Sequence, residues 1–132
     1  MEPFRFHIFV CTQQKPEGIV SCAASRSSEV LEALDRAVQA RGLLHEVQLT
    51  TCGCMGLCDE GPVMVAYPEG VWYRRVQPAD VGEILDSHLD EGKPVERLVW
   101  NDAHAMKAMS VEHGDKFRAA MAARHEAEVA AR

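Results

Sequence analysis

No apolar run in the chain approaches the roughly 20 residues that cross a bilayer, so no transmembrane helix is expected. Nor is there an excess of basic residues. Acids outnumber Lys and Arg by 20 to 14, a net charge of −6. Binding along a phosphate backbone needs clustered Lys and Arg, so a general nucleic-acid function is not expected. The acidic balance suits protein partners that present a basic face. The opening residues, Met1-Glu2-Pro3-Phe4-Arg5-Phe6, lack the basic stretch and small-residue cleavage site of a secretory signal. The expected compartment is the reducing cytoplasm. Five cysteines, an odd number, are not expected to form a disulfide framework there. Metal or redox chemistry takes its place.

The cysteine spacings remove further possibilities. The residues are Cys11, Cys22, Cys52, Cys54 and Cys58, and none form Cys-x-x-Cys. The dithiol pair of a thiol oxidoreductase is therefore missing, and so is the Cys-x-x-Cys-His of covalent haem. No His lies within two residues of a Cys, which argues against the mixed ligation of a Rieske centre. The plant-type Cys-x4-Cys-x2-Cys pattern is also absent. A four-thiolate site remains. A [2Fe–2S] cluster takes four thiolates, two per iron, and needs small neighbours such as Gly53 and Gly56 so that backbone N–H groups can approach sulfur. Zinc also takes four thiolates. Its structural sites favour paired short knuckles, and here only Cys54-x3-Cys58 has that form. Spacing alone favours the cluster and leaves zinc as the competitor.

Periodicity supplies the frame. Residues 4–10 alternate like a strand, and a polar loop containing Pro16 and Gly18 follows. Ser27-Ser28-Glu29 predicts a capped helix start, Val30, Leu31, Leu34 and Val38 its apolar stripe, and Gly42 its left-handed end. Residues 46–50 predict a second strand. Residues 63–67 and 71–73 predict a hairpin around Pro68-Glu69-Gly70. A second helix is expected from Pro78 to Gly92 on a stripe of Val81, Ile84, Leu85 and Leu89, followed by an extended segment over 95–100. The order is β-α-β then β-β-α, an α/β arrangement with the element order of a thioredoxin-like fold. All five cysteines fall on loops at strand ends, and two such loops can meet at one end of the sheet. The Ala-rich tail, residues 101–132, predicts one helix from Asp115 onward, with Phe117, Ala120, Met121 and Ala127 as a weak apolar stripe and a frayed tail as the alternative.

On these residues the sequence resembles the thioredoxin-like [2Fe–2S] ferredoxins. The likeness rests on Val10-Cys11, Ser21-Cys22-Ala23, Gly53-Cys54-Met55-x-x-Cys58, Gly61-Pro62-Val63, the run 65–73, Val76-x-Pro78-x-Asp80-Val81 and Gly92-x-Pro94-Val95-Glu96-Arg97-Leu98. It covers about residues 4–100, and within the family it is similar to the Shethna-type iron–sulfur proteins of nitrogen-fixing bacteria. The resemblance implies a non-enzymatic one-electron carrier with one [2Fe–2S] cluster per chain, held by Cys11, Cys22, Cys54 and Cys58. It also implies a homodimer that meets a reductase and an acceptor. The related cluster-bearing subunit of respiratory complex I and some hydrogenases carries a helical N-terminal region and a shorter first Cys pair, neither of which this sequence has. The implied domains are residues 1–100, the ferredoxin unit, and 101–132, a helical extension.

Other residues read more plainly. Cys52 is expected to be a spare buried thiol, Trp72, Tyr73 and Trp100 packing groups, and His104, His113 and His125 solvated side chains on the tail helix. Pro62 is a candidate for a cis bond. Partner docking is expected around Pro16–Glu17 and Asp59–Glu60. The competing function is a cluster- or zinc-stapled binding module that docks on a redox enzyme through the C-terminal helix and protects or regulates it.

Overall fold

The computed structural model describes residues 3–12, 26–52 and 60–131. Four strands form one sheet in the order β2-β1-β3-β4, with β1 Phe6–Cys11, β2 Val47–Cys52, β3 Met64–Tyr67 and β4 Val71–Tyr73. β1 runs parallel to β2, while β3 is antiparallel to both β1 and β4. The parallel pair needs a crossover, supplied by helix α1, Ser27–Ala40. Helix α2, residues 78–90, follows the hairpin and winds as a tight turn at Pro78–Asp80, an α turn at Val81–Ile84 and a wider π turn at Leu85–Asp90. Helix α3 is Ala103–Ala130.

Strand alternation decides which side chains enter the core. Phe6, Ile8 and Val10 of β1 point to the helix-covered face with Val47, Met64, Ala66 and Tyr73, where Val30, Leu34 and Val38 of α1 and Val81, Ile84, Leu85 and Leu89 of α2 meet them. The odd residues of β1 face the other way. The predicted end of α1 is observed. Gly42 has φ of 69°, the Leu43 N–H reaches the Val38 carbonyl at 2.9 Å, and the Gly42 N–H reaches that of Gln39 at 3.1 Å. Its start differs. Ser27 is the first helical residue and is buried, while left-handed Arg26 stands at the cap position with no side-chain cap bond.

Residues 96–98 form a turn instead of an extended segment, and a single bridge joins Val99 to Tyr73. The chain folds back there through the Leu98 N–H to Val95 carbonyl bond, 2.9 Å. The Gly61–Pro62 and Tyr67–Pro68 peptides are both cis. Helix α3 begins twelve residues before the Asp115 start expected from the stripe. Asp102 caps it, its carboxylate accepting from the Ala105 N–H at 3.0 Å.

One polar network lies within the core. Tyr73 and His88 are both fully buried. The Tyr73 hydroxyl accepts from the Val95 N–H at 3.2 Å and lies 2.7 Å from His88 Nδ1. The hydroxyl and His88 Nδ1 share one hydrogen bond, and His88 Nε2 lies 3.4 Å from the Glu69 carboxylate. Burial, and secondarily the Glu69 charge, raise the Tyr73 pKa above its ordinary value against the lowering effect of the Val95 bond.

Candidate metal centre

Three strand ends converge at one edge of the sheet. β1 and β2 are parallel and finish side by side, with Cys11 opposite Cys52 in register. β3 starts at the same edge, where Met64 pairs with Val10 and the Cys11 N–H donates to the Val63 carbonyl at 3.4 Å. In open α/β sheets the crevice beyond the carboxyl ends of the strands is the usual place for a site. Cys11 and Cys52 are the last residues of their strands, so the strands hold them more rigidly than the loops expected from sequence would. Both lie on the face away from α1, because Cys11 keeps the phase of His7 and Phe9.

The Cys11 side chain is 0 % exposed. It belongs to a small apolar cluster with Val63 and Trp100, against which Cys52, Trp72, Met106 and Met109 pack. The Trp100 N–H donates to the Trp72 carbonyl at 2.8 Å, and the Arg74 guanidinium lies 4.9 Å from the Trp100 ring centroid. Cys52 is partly exposed and packs against this cluster, where a buried thiol was expected. Cys22, Cys54 and Cys58 lie outside the described residues. Cys54 follows Cys52 by two residues, and Cys58 precedes Glu60 by two.

Glu60 is fixed at this edge. Its carboxylate accepts from Arg75 Nη2 at 3.0 Å, with Arg74 Nη1 4.0 Å away, and the Arg75 N–H donates to its carbonyl at 2.9 Å. Its side chain is only 13 % exposed. Its carboxylate is thus turned toward Arg74 and Arg75. Asp59, Pro16 and Glu17 lie outside the described residues. His104 and His125 are exposed as expected, but His113 is buried at 5 %. The sequence reading missed this because it placed the stripe of α3 on Phe117 and Met121, and Met121 is exposed. Spacing could have found the real stripe, since Met106, Met109, His113 and Phe117 recur at three- and four-residue steps. His88 was missed too, although it sits on the buried stripe of α2 seven residues after Val81.

A cleft of about 490 Å³ lies at the opposite end of the sheet, lined by Phe4, Arg5, His7, Phe9, Tyr67 and Pro68. His7 pairs with Tyr67 there, four residues along β1 from Cys11, so the cleft is separate from the cysteine edge. Among the described residues, no group of three or more His, Cys, Asp or Glu could hold a metal ion.

A model of the thioredoxin-like [2Fe–2S] ferredoxins matches residues 3–89. The chain belongs to this family. It is an electron carrier with one [2Fe–2S] cluster. A 2Fe–2S ferredoxin of Aquifex aeolicus is 48% identical over 96 residues, 70% of this chain and 86% of the relative. A 2Fe–2S ferredoxin of Clostridium pasteurianum is 42% identical over 96 residues, 71% of this chain and 94% of the relative. The crystal structure of the wild-type Aquifex aeolicus thioredoxin-like [2Fe–2S] ferredoxin superposes with a TM-score of 0.71 at 45% identity, covering 75% of this chain and 99% of that one. The thioredoxin-like fold expected from element order is thus observed. The Cys11 thiol, a soft donor of the kind an iron–sulfur cluster takes, stands where strand ends converge beside the apolar side chains of Val63 and Trp100.

Proposed function

We propose that Cys11, Cys22, Cys54 and Cys58 hold the [2Fe–2S] cluster of this ferredoxin, and that Cys52 is not a ligand. The observation that carries the reading is the position of Cys11, fully buried at the convergence of β1, β2 and β3. In sequence, Cys54 stands two residues after Cys52 and Cys58 two residues before Glu60, and Cys52 and Glu60 both belong to this edge. Cys22 precedes Arg26 by four residues, and Arg26 adjoins the start of α1. The cluster supplies a one-electron couple. The residues fix its ligands, exclude water on the Trp100 side and place positive charge from Arg74 nearby.

Residues 1–100 form the ferredoxin unit in this reading and 101–132 an extension. The chain acts as a homodimer in the cytoplasm. It binds neither nucleic acid nor membrane, and it catalyses no reaction of its own. No described helix is long and apolar enough to cross a membrane. Its partners are a reductase and an acceptor, met through small, transient contacts of the kind redox encounters use.

The test is iron and acid-labile sulfide analysis with EPR on the wild type and five single Cys→Ser variants. Two irons and two sulfides per chain are expected, with an S = ½ signal after reduction. Serine at Cys11, Cys22, Cys54 or Cys58 should lose or alter that signal, while Cys52→Ser keeps it. Loss in Cys52→Ser with retention in Cys54→Ser would reverse the assignment. A colourless protein with one zinc would overturn it.

A further inference from the structure

Helix α3 is 28 residues long, about 42 Å at 1.5 Å per residue, yet its two halves differ. Residues 121–130 are exposed throughout. The first turns are instead seated on the cysteine edge. Asp102 fixes the entry by capping, and Met106 and Met109 then pack against the cluster of Cys11, Val63 and Trp100, beside Cys52 and Trp72. His113, one turn further along the same face, is buried. The family match ends at residue 89, and a quarter of this chain lies outside the match to the Aquifex structure. The ferredoxin fold alone therefore does not explain why α3 is held here.

Met side chains are unbranched and adapt to irregular apolar gaps. Two of them packed against the cluster that contains the buried Cys11 add apolar surface on that side. Solvent access and hydrogen bonding govern both the potential and the lability of iron–sulfur centres. We propose that Met106 and Met109 are the contact residues of a built-in cover, the first turns of α3, that keeps water and hydrophilic chelators away from the Cys11 side of the cluster. This proposal rests on the ligand reading above. It assigns the extension a protective task within the chain itself, distinct from docking on another protein.

The test compares full-length holoprotein with the double variants Met106→Ala/Met109→Ala and Met106→Leu/Met109→Leu. The first readout is anaerobic bleaching of the visible absorbance by excess bathophenanthroline disulfonate. Ala/Ala should bleach at least about fivefold faster, the factor that corresponds to roughly 1 kcal/mol of lost local protection. Leu/Leu, which keeps an apolar cover, should stay within about twofold of wild type by the same conversion. The potential of Ala/Ala should move upward, because added water favours the more negative reduced state. The single variant Met109→Ala should shift bleaching in the same direction and guards against a folding defect in the double variant. Equal bleaching in wild type and Ala/Ala, or equal acceleration in Ala/Ala and Leu/Leu, would overturn the proposal. A wild type without iron and labile sulfide would overturn the ligand reading instead. The cover would then be tested by iodoacetamide alkylation of Cys11, faster in Ala/Ala if it exists and unchanged if it does not.

Discussion

Replacing Tyr73 with Phe removes one oxygen from the interior and leaves the ring in place. The ring stays in place, so the space left behind is no larger than one oxygen atom. The loss is confined to two partners, the Val95 N–H at 3.2 Å and His88 Nδ1 at 2.7 Å. A buried donor or acceptor left without a partner costs about 1–3 kcal/mol. The two together should cost about 2–4 kcal/mol, since the imidazole can recover part of its loss by exchanging its proton between nitrogens. At roughly 3–5 °C per kcal/mol for a domain of this size, the thermal midpoint should fall by about 6–20 °C. Far-UV circular dichroism on anaerobic holoprotein would measure it. Tyr67→Phe is the control, because Tyr67 is exposed and should stay within about 0.5 kcal/mol of wild type. A Tyr73→Phe midpoint equal to that of the control would refute the account. So would strict additivity with His88→Leu, since residues sharing a network should couple by about 0.5 kcal/mol or more.

The raised Tyr73 pKa adds a pH dependence. The unfolded phenol ionises near its ordinary value of 10.0 while the folded one holds its proton. This contribution is therefore complete below pH 10 and is lost as the pH rises above it, so stability should fall more steeply between pH 9 and 11 in wild type than in Tyr73→Phe, as urea titrations would show. Leu34→Ala removes a fully buried side chain between α1 and the sheet, and should cost about 2–5 kcal/mol by the same titration. Gly42→Ala meets no atom within 4 Å, so only its left-handed backbone is penalised, by about 1–2 kcal/mol in equilibrium unfolding. Arg97 donates to Asp80 and Glu83 on the surface, and these carboxylates raise its pKa. Arg97→Ala should nonetheless leave the midpoint unchanged in moderate salt, because solvent screens an exposed pair.

The frame was readable in the sequence because its periods are clean. Alternation in residues 6–10 and 47–49, the stripe Val30–Leu34–Val38 and the Gly42 stop each state one local preference, and packing agrees with all of them. The parallel pairing of β1 and β2 followed from the 14-residue crossover helix between them. The site was legible only as a set of cysteines. Their relation to one another depends on register, and nothing local to Cys11 says that Cys52 stands opposite it. The start of α3 was missed for a similar reason. Its first turns are held by packing against Trp100 and Cys11, a tertiary contact that the weak amphipathicity of the helix does not announce. Glu60 reads as an acidic surface residue until the fold brings Arg74 and Arg75 to it.

The phase of β1 has a consequence for how this chain can tolerate insertions and deletions. Phe6, Ile8 and Val10 bind the strand to the helical layer, and Cys11 inherits its direction from them. One residue inserted between Val10 and Cys11 would leave the hydrophobic ladder seated and turn the thiol toward the helical layer, half a repeat out of step. The chain could stay folded and lose its chemistry. The same edit in the 68–70 turn falls at the far end of the sheet, where Tyr67 pairs with His7, and spares the cysteine edge. Length should thus be strictly held in β1 and free to vary in the hairpin turn, a contrast that single-residue insertion scanning with the colour of the protein as readout would reveal.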